Sequence, residues 1–369
     1  MPNSASKAFV FLAATGLLLG AERKKTPELA SIPSDPLELV TGQILNVQSD
    51  AGRAAVLQLL ERARANYTLP SAGRPYDLKV SFTVTSGGQT RYDGVWKMED
   101  MFDPKQGQRW TAQSPGDFTI TRVYTKGRLY GEESDNYIPL RLQEARAALF
   151  DPLPSTPNLA HASIRTSTAI YDGTPVTCVL ISGPENPASR ATSRRWDETE
   201  ECIDPQSGLL QTHSPAPGRY NAYDYSNASP FAGHLLPRRV KLTEAGQQIT
   251  EITVDSLGDI NAADANLFAP TEAMKERGRA IAMQGAEKIW RLAGRVRASR
   301  GHALDAVCIF GLVTSGGELV EAHSLQPGDP NSAAALAAAR QINFSPRTAL
   351  DAQPEQHFVF IIEEFPEAR

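Results

Sequence analysis

The chain lacks every local signature that announces chemistry. No Gly-x-Ser-x-Gly elbow, His-Glu-x-x-His pair, phosphate loop, dinucleotide fingerprint or Cys-x-x-Cys occurs in its 369 residues. The common routes to hydrolase, metalloprotease, nucleotide-dependent and thiol-redox chemistry are therefore unmarked. Its six histidines, His161, His213, His234, His302, His323 and His357, are scattered with no i, i+4 pair, so the spacing supports no metal site. Asp93, Glu99, Asp100 and Asp103 gather beside Trp96, and carboxylates around a strand end and turn are expected to be solvated. No catalytic residue is nominated, and no cofactor or metal is implied. An enzyme of this sequence would be a hydrolase whose residues meet only in space.

An excess of basic charge is missing too. Lys and Arg number 37 against 42 Asp and Glu, a net charge of −5, which argues against nucleic acid as a partner. Long apolar runs are absent beyond the first residues. Residues 8–20 are apolar, follow a polar start with one lysine, and end in Leu19-Gly20-Ala21, the pattern of a signal peptide over 1–21. As a helix, 8–21 would span about 21 Å against roughly 30 Å of bilayer hydrocarbon. Glu22, not Cys, follows Ala21, so no lipid attachment is expected. Residues 22–45 read as a polar linker.

Only three cysteines are present. Cys178 and Cys202 fall in two segments that a loop can fold into neighbouring strands, and in an oxidising compartment a disulfide between them would stabilise the fold by about 3.5 kcal/mol in the chain-entropy model. The alternative is three buried free thiols acting as small hydrophobes.

What is present is mostly strand pattern. After a helix capped by Ser49 or Asp50, with Ala55, Val56, Leu59, Leu60 and Ala63 at helical spacing, the chain alternates strictly: Leu78, Val80, Phe82 and Val84 on one side, Lys79, Ser81, Thr83 and Thr85 on the other. A second strand carries Tyr92, Gly94, Trp96 and Met98 on one face. Further strands are expected over 109–114, 118–125 and 128–130, then a helix over 140–150, then strands from 163 to 257. The fold class is α+β: a large, curved, half-barrel-like antiparallel sheet over 46–270 with covering helices, followed by a small ββαβ domain.

The order of elements in 46–270, with Cys202-Ile203-Asp204-Pro205-Gln206-Ser207-Gly208-Leu209-Leu210, Leu236-Pro237-Arg238 and Leu267-Phe268-Ala269-Pro270, resembles the LolA-like envelope carriers. In that family a half-barrel holds acyl chains on an apolar concave face under a lid of helices. The resemblance implies a ligand cavity lined by Phe82, Trp96, Trp110, Tyr124 and Tyr223; the alternative is that these aromatics fill a core.

Residues 271–300 carry a basic excess, and Ile281, Ile289, Leu292 and Val296 suggest an amphipathic helix from about 280. Residues 275–300 would then touch an anionic membrane surface, or serve as a solvated linker. Beyond them come an apolar strand (304–314), Ser315-Gly316-Gly317, a strand (319–325), a helix (333–340), Phe344-Ser345-Pro346 and a strand (357–365) apolar on both faces. Residues 301–366 resemble the C-terminal domain of TonB, the periplasmic end of proteins that couple the inner membrane to outer-membrane transporters. The resemblance implies the periplasm of a Gram-negative-type envelope and a non-catalytic interaction module linked to transport. If its closing strand is a sheet edge, a partner peptide can add to it through Gln356, Phe358, Phe360 and Ile362. A lipid or lipoprotein carrier using the concave face of the larger sheet is the alternative.

Overall fold

A computed structural model describes residues 39–85, 91–135, 137–183, 193–260, 266–277, 284–292, 306–314, 316–344 and 356–364. The expected signal peptide and the first part of the linker lie outside them. Two short strands, β1 (Leu39–Thr41) and β2 (Leu45–Asn46), lead into helix α1 (Asp50–Ala65). The Ser49 hydroxyl accepts from Gly52 N at 3.1 Å, satisfying one of the free donors of the first turn. A meander follows: β3 (Tyr76–Val84), β4 (Gly94–Asp103), β5 (Gly107–Gln113), β6 (Thr119–Thr125) and β7 (Arg128–Glu133). After α2 (Leu140–Phe150) comes a second meander: β8 (Ser163–Tyr171), β9 (Thr174–Ser182), β10 (Thr199–Ile203), β11 (Leu210–Ala216), β12 (Arg219–Asp224), β13 (Arg239–Glu244) and β14 (Gln247–Gly258).

The two meanders are one antiparallel sheet, joined where β14 pairs with β3 in a register that sets Ile252 opposite Phe82. The strand path runs from β1 to β7, with β2 set on β8, and no described pairing joins the two ends. The sheet is large, curved and unclosed. Its inner face follows the expected alternation: Leu78, Val80, Phe82 and Val84 are buried, Lys79 and Thr83 exposed. Val56, Leu60 and Ala63 of α1, and Leu142, Ala145 and Leu149 of α2, pack on that face in one core.

The remaining elements are α3 (Glu272–Arg277), β15 (Gln284–Leu292), β16 (Ala306–Thr314), β17 (Leu319–Ser324), α4 (Ser332–Ala339) and β18 (Gln356–Glu364). They build a second sheet in the order β15-β18-β16-β17, with β15 parallel to β18. Gly317 closes the β16–β17 turn at φ +85°, and a Cβ there would meet Phe344 O, so only glycine fits. Three expectations need correction. Residues 39–41 and 45, read as linker, lie in strands paired to β8. Residues 284–292, read as part of a basic amphipathic helix that could lie on a membrane, are a strand, because a ladder partner in β18 outweighs a helical pattern already weakened by Gly285. And β18 is not an edge: it is paired on both sides, to β15 and to β16, so its backbone groups are spoken for and no peptide can add to it through residues 356, 358, 360 and 362.

Both faces of β18 are used. Val359 and Ile361 pack with Val307, Ile309, Ala335 and Ala339 under α4. Phe360 and Ile362 join Cys308, Phe310 and Leu312 against Leu140, Trp196 and Ala216 of the large sheet and its helix. The apolar character of both faces thus reflects a helix on one side and the first sheet on the other.

Candidate functional site: a cleft between the two sheets

Period-two alternation turns Phe358, Phe360 and Ile362 to the same face of β18, and β16 sets Phe310 opposite Phe360, their rings 4.8 Å apart. Where this aromatic face stands off the inner face of β9–β13, a cleft of about 570 Å³ remains. Phe310, Phe358 and Phe360 form one wall, Ile181 and Leu242 belong to the other, and Leu153, after α2, closes part of it.

Four charged side chains of α2 and the first sheet form a network where the two sheets meet, and one of them, Arg219, reaches the second sheet. Arg219 of β12 lays its guanidinium over the Phe310 ring at 3.8 Å and bonds Glu144 of α2. Arg141, one turn earlier on α2, reaches Glu144 and Glu244 at 2.8 Å each. Burial works against the Glu244 charge, yet Arg141 and Arg219 hold its carboxyl below the usual range. The second sheet also caps α2. Pro139 supplies no side-chain cap, and the free N–H of Leu140 donates instead to Glu321 Oε1 of β17 at 2.8 Å, a carboxylate at the positive end of the helix. Burial pushes Glu321 up to about 6, the Leu140 amide working in the opposite direction. Burial, aided by Arg141, lowers the neighbouring His323.

On the opposite wall β10 and β11 place Glu201 directly across from His213. Both line the cleft, as does Asn221. His213 Nδ1 lies 3.5 Å from Glu201 Oε1, with 15% of the His213 side chain exposed and 1% of Glu201. Both Glu201 oxygens and His213 Nδ1 are buried and have no hydrogen-bond partner among the described residues. Glu201 thus sits on a face shared with Val179, Ile203 and Leu242 as well as His213 and Asn221, where an unpaired carboxyl is costly to bury.

Of Phe82, Trp96, Trp110, Tyr124 and Tyr223, expected to line one cavity, three are packed within the core. Phe82 and Trp96 stack at 5.4 Å inside the core, and Tyr223 is 3% exposed within the same core. Trp110 is covered by the Arg146 guanidinium at 3.8 Å, and Tyr124 is 49% exposed. Residues of α1 and α2 belong to the same core. Phe358 and Phe360, named as edge contacts, do reach a cleft, but through their side chains; Ile362 lies deeper, between the sheets, and the Gln356 side chain is outside the described residues. Cys178 and Cys202 are joined, S–S 2.07 Å, across paired strands β9 and β10, while Cys308 is buried in β16. Asp100, expected in solvent, is fully buried and accepts from Tyr76 Oη at 2.9 Å and Gln108 Nε2 at 3.0 Å, with Arg146 at 3.5 Å. The sequence reading missed Glu201 and His213; their one signal was a charged residue two positions before Ile203 on the same strand face.

No protein-family model matches the chain, and no curated protein matches it. Among solved structures it is similar to an outer-membrane lipoprotein-sorting protein domain from Vibrio parahaemolyticus, at 8% identity and a TM-score of 0.35, over 58% of this chain and 95% of that one. It is also similar to a LolA superfamily protein from Nitrosomonas europaea, at 8% and 0.34, over 57% and 95%. A third is the MucA/MucB complex of Pseudomonas aeruginosa, at 14% and 0.26, over 59% and 61%. At such scores the likeness is one of loose layout and carries no argument about ligand or partner.

Proposed function

We propose that this chain is a non-catalytic binding protein of the cell envelope that carries an amphipathic, largely apolar molecule in the cleft between its two sheets. The observation behind this reading is the cleft itself. Its volume of about 570 Å³ falls in the usual range for small-molecule sites, roughly 300–1,000 Å³, and such sites pair apolar walls with a few placed polar groups. Phe358 gives the reading a handle, because it lines the cleft while staying half-buried. Delipidated protein should take up a pyrene-tagged alkyl alcohol, and Phe358→Asp should weaken uptake by about tenfold or more, since it sets a charge against an apolar tail. Tyr124→Asp, on the outer surface, should leave uptake unchanged. Absence of uptake by the unaltered protein, or equal uptake by Phe358→Asp, would rule the reading out.

A further inference from the structure

Charge in the cleft wall is not balanced. Arg219 is taken by Glu144, with Glu244 at 3.9 Å. Arg64 faces Asp151 at 3.5 Å, and Asp197 faces Arg195 at 3.2 Å. Among the described residues, Glu201 alone of these wall charges has no cation besides the His213 ring, and neither of its oxygens accepts a hydrogen bond. His213 Nδ1 faces that carboxylate at 3.5 Å without hydrogen-bond geometry, and in the tautomer that carries the proton on Nδ1 the other ring nitrogen, Nε2, is an acceptor. Nδ1 is the buried ring nitrogen, and the ring, 15% exposed, lines the cleft. The pair therefore sets an imidazole toward the cleft with an uncompensated carboxyl group directly behind it, in surroundings of low dielectric where electrostatic interactions are little screened.

We infer that the polar end of the molecule held in the cleft is a hydrogen-bond-donating cation, a primary ammonium on an apolar chain, received by His213 Nε2 with Glu201 behind it. The inference rests on the cleft being the binding site. An ammonium supplies the donor that Nε2 lacks and the positive charge that Glu201 lacks, and the aromatic wall of Phe358 and Phe360 takes the chain. An anionic head would face the Glu201 charge, and a hydroxyl would satisfy Nε2 without offsetting that charge.

Calorimetric titration of the delipidated full-length protein with decylammonium, decanol and decanoate at neutral pH tests this. Decylammonium should bind about tenfold more tightly than decanol, and decanoate most weakly. Glu201→Gln keeps the shape and removes the charge; it should bring decylammonium and decanol to equal affinity while decanol binding stays as before, which also shows that the cleft is intact. His213→Phe should weaken both donors and leave the chain contact. Decanoate binding as tightly as decylammonium, or a decylammonium preference that survives Glu201→Gln, overturns the headgroup assignment while the carrier reading stands. If none of the three binds, the carrier reading falls with it.

Discussion

Asp100 carries a lesson that belongs to single side chains. It shares a strand face with Trp96 and Met98, so the alternation of β4 already places it inward; its carboxylate type argued for solvent, and the alternation won. The site is affordable because Tyr76, Gln108 and Arg146 surround the carboxylate, although burial still raises its pKa. Removing one partner leaves a buried charge alone. Asp100→Ala should therefore cost roughly 3–5 kcal/mol in a denaturant titration, and Asp100→Ala combined with Arg146→Met clearly less than the sum of the two. Glu201 obeys the same geometry without the compensating partners, and no propensity or spacing distinguishes it from the adjacent Glu200. What distinguishes it is three-dimensional: the neighbours it meets come from β9 and β11.

At the scale of elements, local pattern performed well where the partner strand is near in sequence. Helix α2 spans 140–150 as expected, and the hairpin strands of both meanders fall close to their predicted places. It failed where the partner is remote. Residues 284–292 pair with residues 357–364, some seventy positions away, and nothing in the composition of the first segment reveals the second. The consequence for β18 is measurable by amide hydrogen exchange. Flanked on both sides, β18 should exchange as slowly as β16 and more slowly than β17, which is paired on one side in this sheet. Fast exchange along β18 would mean that β15 does not hold its place.

For the molecule as a whole, the docking of the second sheet on α2 should respond to pH through Glu321. A carboxyl whose folded pKa is raised to about 6 from an ordinary 4.5 contributes stability that is present below the unfolded value and is lost as pH rises through 6. His323, whose pKa is lowered by burial and Arg141, works the other way, losing stability as pH falls, so the wild-type curve is a balance of the two. Glu321→Gln isolates one side of it. The amide oxygen still accepts from Leu140 N, and the variant should melt higher than the wild type at pH 7.5, with the gap closing by pH 4.5. A constant gap across that range would show that the charge at the helix cap is not what titrates.

The seam between β14 and β3 also sets an order of events. β3 is made early and its pairing partner on that side is the last strand of the second meander, so the chain must extend to residue 258 before β3 is flanked on both edges. Until then the first meander carries an open edge beside Phe82 and Val84. Loop closure over that distance is slow compared with hairpin formation, and an exposed edge in the meantime is a template for pairing with another chain. Maturation of this protein is thus expected to be a race between synthesis and self-association, decided by how quickly the chain out to residue 258 arrives.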